Sequence, residues 1–339
     1  MPGSGSVMND WAVVIRLSSM GDIVLTTGVL EHWRETRGLR VVVLTRDRFA
    51  PLFRGHPAVI DAIPIAPAQV TGVAWAKTAR RLAKEYQGRL LVDLHGSLRS
   101  RALALLWSGP VVRYPAFRRE RQRFLRDRSP AAGQSLRSAN IPQRYAMALD
   151  RPPPAGDTLR PRVYLSSAEM DAARSLLQSH GLGDRVIAVH PYATHPLKTW
   201  QEREWRELAQ SLDVRGLQWI VLGKSPLPLF DTPESDRDFT NRTDLRMTAA
   251  LLACATVLVT ADSGPMHLAE AVGTPVIALF GPTTREWGFY PGGPRDIVME
   301  LPMTCRPCSL HGRVRSACGQ ECLRAITTES VLAQLEPFG

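Results

Sequence analysis

Two series of apolar, strand-length runs alternate with stretches of helical period along this 339-residue chain, and a run of three prolines separates them. In the first series, residues 11–17 read as a strand, 23–34 as a helix and 41–45 as the next strand. Trp75, Ala79, Leu82 and Tyr86 recur three or four residues apart on one helix face, and 90–94 and 98–107 follow as strand and helix. Arg151-Pro-Pro-Pro-Ala-Gly156 cannot continue a helix or a central strand. Beyond it, strands at 186–190, 218–222, 256–260 and 276–280 alternate with helices at 202–212, 246–254 and 266–272. Continuously apolar strands joined by helices belong to parallel sheets covered on both faces. The expectation is two doubly wound α/β domains, residues 1–155 and 156–339, facing across a cleft. Ligands of such sheets sit beyond the carboxyl ends of the strands, here the loops after Leu17, Leu94, His190, Leu222, Thr260 and Phe280.

Composition removes other classes. With 44% hydrophobic and 22% charged residues, the chain is neither disordered, collagenous nor a coiled coil. The longest nearly unbroken apolar run, 249–259, falls short of the ~20 residues of a membrane span. Residues 1–10 are Gly/Ser-rich, and the short apolar segment after them lacks the flanks of a signal peptide, so a cytoplasmic protein is expected. Charge is uneven: residues 1–160 hold 25 Lys/Arg against 12 Asp/Glu, and residues 161–339 hold 17 against 20. Seven arginines lie between Arg113 and Arg128. Any one of them reads as a solvated helix position, but the imbalance between halves points to an anionic partner. Peripheral contact of this segment with an anionic membrane is expected, at about 1 kcal/mol per basic residue.

Three of the strand-end loops carry chemistry-bearing residues. Ser18-Ser-Met-Gly-Asp22 runs from the first strand into a helix, so Asp22 is either an N-cap or a carboxylate at the cleft able to take a proton from a hydroxyl. Ala261-Asp-Ser-Gly-Pro-Met-His267 joins a strand to a helix start, whose free amides and dipole suit a phosphate, with His267 either nearby or a packing residue. Lys198 precedes a helix after the strand at 186–190, either as a solvated lysine or as a charge for phosphates. The dinucleotide fingerprint and the P-loop are both missing, which sets aside nicotinamide dehydrogenases and P-loop nucleotidases.

Taken in order, Arg16-Leu-Ser-Ser-Met-Gly-Asp-Ile-Val-Leu-Thr-Thr27, Lys198-Thr-Trp200, Asp262-Ser-Gly-Pro-Met-His-Leu-Ala269 and Gly273-Thr-Pro-Val-Ile-Ala-Leu-Phe-Gly-Pro-Thr283 closely resemble glycosyltransferase family 9, the ADP-heptose:lipopolysaccharide heptosyltransferases. Val92-Asp-Leu-His-Gly-Ser-Leu-Arg-Ser100 resembles the family's acceptor-side loop. The resemblance implies a GT-B fold of two Rossmann-like domains, an N-terminal one for an anionic sugar-lipid acceptor and a C-terminal one for a nucleotide-sugar, with the last helix packing back on the first. It implies an inverting transfer that needs no cofactor, with Asp22 as general base. It places Lys198, Thr194, Asp262, Ser263, Gly264 and His267 on the donor, and Ser19, Met20, Gly21, Arg99 and Arg101 on the acceptor. Gly223-Lys-Ser-Pro226 has no acidic residue where many members present one to the nucleoside, so another nucleotide-sugar or glycan acceptor is the nearest alternative.

Four of the five cysteines cluster as Cys305-x2-Cys308-x9-Cys318-x3-Cys322, while Cys254 reads as core. Four thiolates suit a structural zinc or an iron–sulfur cluster, but the spacing is not that of a zinc ribbon, and reduced structural thiols are the competing reading. Arginines plus four cysteines also describe a nucleic-acid-binding module. No helix-turn-helix, RRM or zinc-finger pattern supports that, and no nucleic-acid partner is expected.

Overall fold

The computed structural model describes residues 11–230, 236–309 and 318–338. The N-terminal segment considered as a signal peptide lies mostly outside them. Contacts divide the chain into two units, one holding residues up to Ala116 together with Pro142–Leu159, the other Phe117–Ile141 and everything from Arg160 on.

The first unit is built on β1 (Trp11–Ile15), β2 (Arg40–Arg46), β3 (Val59–Ile65), β4 (Leu91–Asp93) and β5 (Val111–Arg113), all parallel in the order β3-β2-β1-β4-β5. Pro64 lacks a ladder donor and Asp61 is hydrophilic, so β3 belongs at an edge, where the sheet puts it. Helices α1 (Met20–Arg37), α2 (Gly72–Glu85) and α3 (Leu98–Leu106) alternate with the strands. The first half of α1 is buried on nearly every side, from Ile23 through Leu30, as an apolar-all-round helix must be. Gly38, left-handed at φ 63°, ends α1 by returning its N–H to Arg34 O. On one sheet face, Trp75, Ala79 and Leu82 of α2 and Leu103 of α3 pack with Val13, Ile15, Leu44 and Leu91.

In the second unit, α4 (Arg118–Arg126) and α5 (Pro130–Arg137) precede α6 (Ile141–Ala146), most of which belongs to the first unit. Phe124 of α4 and Leu136 of α5 pack against Trp287. The arginine-rich segment therefore moves to the second unit. Counted by unit, the first carries 17 Lys/Arg against 10 Asp/Glu and the second 25 against 22, a milder asymmetry than the half-chain count.

The second sheet comprises β6 (Val186–His190), β7 (Gln218–Val221), β8 (Ala255–Ala261), β9 (Val276–Phe280) and β10 (Ile297–Glu300), parallel in the order β10-β9-β8-β6-β7. Its helices are α7 (Ser167–Ser179), α8 (Glu202–Val214), α9 (Leu245–Cys254), α10 (Gly264–Ala271), α11 (Glu321–Arg324) and α12 (Thr328–Leu335). The last helix, expected back on the first domain, contributes Val331, Leu332 and Leu335 to this core. There they join Trp200, Trp205 and Leu208, and Trp200 Nε1 donates to Ile326 O at 2.9 Å. Among the described residues, no helix is long and apolar enough to cross a membrane.

Candidate active site

In the first unit the site begins where β1 ends. Ser19, not Asp22, is the N-cap of α1, and Asp22 is the third helical residue of a capping box. The Asp22 Oδ2 oxygen accepts from Ser19 N at 3.2 Å and from Ser19 Oγ at 2.8 Å. Its other oxygen accepts from Tyr145 Oη at 2.5 Å and Arg16 Nη2 at 2.6 Å. Burial alone would raise Asp22, yet the Arg16 charge and the hydrogen bonds from Tyr145 and Ser19 hold its carboxyl below the usual range. Asp22 is therefore an ionised carboxylate in a fixed orientation, and Met20 and Gly21 occupy the first turn around it.

Arg16 is buried, stands over the Tyr145 ring at 5.2 Å and donates to Leu94 O at 2.5 Å. Tyr114 meets Tyr145 edge-on at 5.0 Å. His95, in the loop after β4, has its pKa pushed down to about 4 by burial and by the nearby charges of Arg16 and Arg99. Among the described residues, Arg16 Nε and His95 Nδ1 are both buried without a hydrogen-bond partner, which is rare unless a ligand or water completes them. Arg99 donates to Val70 O at 2.6 Å, and Arg101 lies on the exposed side of α3. Arg113, counted in the basic run, pairs with buried Asp93 at 2.6 Å. Asp93 in turn accepts from the His95 and Gly96 amides, so Arg113 shapes this loop instead of facing a partner.

The second unit carries a separate constellation. Lys198, in a short turn after β6, pairs with Asp262 Oδ2 at 2.7 Å, and that oxygen also accepts from Thr283 Oγ1 at 2.6 Å. Asp262 follows the last residue of β8, Ser263 caps α10 and Gly264 begins it, so free helix amides open beside the Lys198 ammonium. Lys198 is anchored rather than solvated, and Thr194 is exposed in the same loop. His267 is buried, with Nδ1 2.8 Å from Glu270, whose other oxygen accepts from Gly292 N at 2.8 Å. The structure thus gives His267 a bracing position inside α10.

The cysteine-bearing tail braces this site. Buried Arg306 donates to Gly281 O at 2.5 Å, Leu301 O at 2.6 Å, Thr283 O at 2.8 Å and Glu300 at 2.6 Å. Cys308 N donates to Pro282 O at 3.2 Å. A Cβ at Gly281 would fall 2.6 Å from the Leu323 side chain, so α11 seats against the same loop. The tail therefore holds the loop 281–283, Thr283 holds Asp262, and Asp262 holds Lys198. Cys305 and Cys318 approach to 3.4 Å between sulfurs, and burial followed by the Cys318 hydrogen bond raises Cys305 to about 11. Among the described residues, no three His, Cys, Asp or Glu side chains are arranged to hold a metal ion.

Sequence reasoning did not single out Arg16, Tyr145, His95, Thr283 or Arg306. Arg16 had a signal, since it interrupts an apolar strand end. Tyr145 had none, because only the fold brings it 123 residues back to Asp22.

Comparison with known proteins agrees with this reading of the fold. A solved structure of a glycosyl transferase family 9 protein from Veillonella parvula superposes with TM-score 0.76 at 19% identity, covering 97% of this chain and 96% of that one. The E. coli ADP-heptose lps heptosyltransferase II superposes with TM-score 0.73 at 22% identity, covering 96% and 98%. In sequence, the chain is 29% identical to lipopolysaccharide heptosyltransferase 1 of Pseudomonas aeruginosa, over 87% of this chain and 85% of that protein. A profile of glycosyltransferase family 9 (heptosyltransferase) matches residues 75–315. With two Rossmann-like units, a GT-B architecture, and a family match across most of its length, the chain belongs to glycosyltransferase family 9 and is a glycosyltransferase.

Proposed function

We propose that the protein transfers a heptose from ADP-heptose to an anionic lipopolysaccharide inner-core acceptor, with inversion and without a catalytic metal. The observation that carries the mechanism is the Asp22 carboxylate, held ionised at the carboxyl end of β1 by donors on both oxygens. Exposed Ser19 can turn its hydroxyl away, leaving its place on Oδ2 to the acceptor hydroxyl. The acceptor's hydroxyl oxygen attacks the anomeric carbon opposite the diphosphate, the bond to the diphosphate breaks, and the hydroxyl proton passes to Asp22. The charge developing on the departing ADP is met by Lys198 and the amides at Ser263 and Gly264, fixed positive groups that need no metal. Thr194, Asp262 and His267 complete the donor side, His267 by bracing.

On the acceptor side, Ser19, Met20 and Gly21 form the lip around Asp22, and Arg99 and Arg101 meet acceptor charge. Arg16 Nε and His95 Nδ1 offer two unpartnered buried groups to the same ligand. The first unit takes the acceptor and the second the donor, the roles expected of residues 1–155 and 156–339. The site of action is the inner face of the cytoplasmic membrane, with peripheral contact and no nucleic-acid partner. The four-cysteine tail is proposed as a structural zinc or iron–sulfur site, since the Cys305–Cys318 spacing of 3.4 Å approaches the ~3.8 Å between thiolates around zinc. Anaerobic metal analysis finding neither zinc nor iron overturns that part.

The whole reading is tested by incubating the protein with ADP-heptose and a delipidated inner-core acceptor. A product heavier by one heptose, with inverted anomeric configuration and insensitive to chelator, is expected. Thermal-shift stabilisation by a different nucleotide-sugar, with no transfer from ADP-heptose, overturns the donor assignment. A donor at 100 times its Kd stabilises by about 2.7 kcal/mol.

A further inference from the structure

The outer faces of α2 and α3, Arg101 apart, have an arrangement that the transfer reaction does not use. The two helices pack side by side on one face of the first sheet, with Trp75 Nε1 of α2 donating to Arg99 O at 3.1 Å. At helical spacing, α2 turns Val73, Lys77, Arg80 and Lys84 outward, with Arg81 beside them. On α3 the outward stripe is Leu98 and Leu105, 85% and 89% exposed, with Leu106 and Arg101 on its flanks. The only acid on either helix is Glu85, already paired with Arg81 at 2.9 Å. A buried face accounts for neither stripe: α3 spends Ser100 and Leu103 on its core contacts.

We infer that the α2–α3 face is the membrane-docking surface, with Leu98, Leu105 and Leu106 entering the headgroup layer of an anionic bilayer while the cationic stripe of α2 lies along the phosphates. This deepens the proposed peripheral membrane contact and rests on it, but moves that contact away from the arginines of α4. Charge complementarity selects the occupant. Each basic residue near an anionic leaflet adds about fivefold to binding, and exposed leucines add a component that salt does not screen. A nucleic acid would use the cations and leave the leucines in water.

The test is cosedimentation of the full chain with vesicles of phosphatidylglycerol and phosphatidylethanolamine, against phosphatidylcholine vesicles. Leu105→Gln/Leu106→Gln is expected to weaken partition by about tenfold or more, as is Lys77→Gln/Lys84→Gln. Val214→Gln/Leu227→Gln, equally exposed apolar positions in the second unit, is expected to leave it unchanged. The leucine variant keeps wild-type transfer to a delipidated acceptor, which shows that the fold is intact. Loss of binding only in Arg119→Gln/Arg123→Gln overturns this surface while leaving membrane contact standing. Absence of wild-type binding overturns both, and transfer to the delipidated acceptor then still judges the enzymatic reading separately. A wild-type dimer that the leucine change converts to monomer assigns the face to a second copy and overturns the inference.

Discussion

Replacing Arg306 with methionine keeps the apolar stem and removes every donor. Carbonyls of Gly281, Leu301 and Thr283 lose their partner, and Glu300 loses its counterion. A buried acceptor left unsatisfied costs about 1–3 kcal/mol, and water can reach half-exposed Glu300, so at the lower half of that range the three carbonyls sum to about 3–6 kcal/mol. In a chain of this size that lowers Tm by roughly 5–10 °C. The functional effect follows from connectivity, because the loop carrying Thr283 loosens and Thr283 no longer fixes Asp262 under Lys198. Arg306→Met is therefore expected to raise the donor KM by about tenfold while kcat at saturating donor falls less. Differential scanning fluorimetry and initial rates against donor concentration measure the two effects. A Tm within 1 °C of wild type, or a reduced Tm with an unaltered donor KM, would show that the tail does not support the donor loop.

Gly223 stands at φ +141°, and a Cβ there would lie 2.7 Å from both His190 Nδ1 and the Tyr192 ring. Gly223→Ala should cost about 3 kcal/mol in urea unfolding, and a cost under 1 kcal/mol counts against the close approach. Acid should destabilise the fold in a window set by His190, which burial holds at about 4 against about 6.5 when unfolded. Because the folded pKa is depressed, this stability is complete above pH 6.5 and drains as pH falls toward 4, by about 3 kcal/mol. His95 adds to the same window, whereas Asp22 loses its charge only at lower pH, below its depressed folded pKa. Urea midpoints from pH 7.5 to 4.5 should show the decline, with a shallower slope in His190→Asn, and an unchanged slope contradicts the assignment. Glu169 holds buried Arg246 through two hydrogen bonds at 2.6 and 2.7 Å and is lowered to about 2 chiefly by them. Glu169→Gln should destabilise the second unit by about 2 kcal/mol with little change in donor KM.

Much of this was legible in the sequence because the relevant signals are local. Strands such as β6 and β9 are continuous apolar runs buried on both faces, so their positions follow from hydropathy alone. Asp22, Lys198 and Asp262 were marked as candidates because ligands of parallel sheets bind beyond the strand ends. Their partners were not, since Tyr145 and Thr283 reach them only through the fold. Strand β3, interrupted by Asp61 and Pro64, lacks the apolar continuity of a central strand, and β5 is only three residues long, whereas β4, equally short, lies within the apolar run 90–94. The arginine run showed the opposite failure. Its charge was conspicuous, but Phe124 and Leu136, which tie it to Trp287 in the second unit, carry no long-range signal. The cysteine spacing revealed a cluster without showing that Arg306 between two of its members holds the loop 281–283.

If Asp22 is the base and the donor is gripped elsewhere, removing the carboxylate separates turnover from donor binding. Asp22→Asn is the direct test, with kcat measured beside the dissociation constant for ADP-heptose by calorimetry. A positioned base contributes roughly 10²- to 10⁴-fold. A kcat loss of that order is expected, with a donor Kd within about twofold of wild type. Retention of wild-type turnover by a folded Asp22→Asn protein contradicts it.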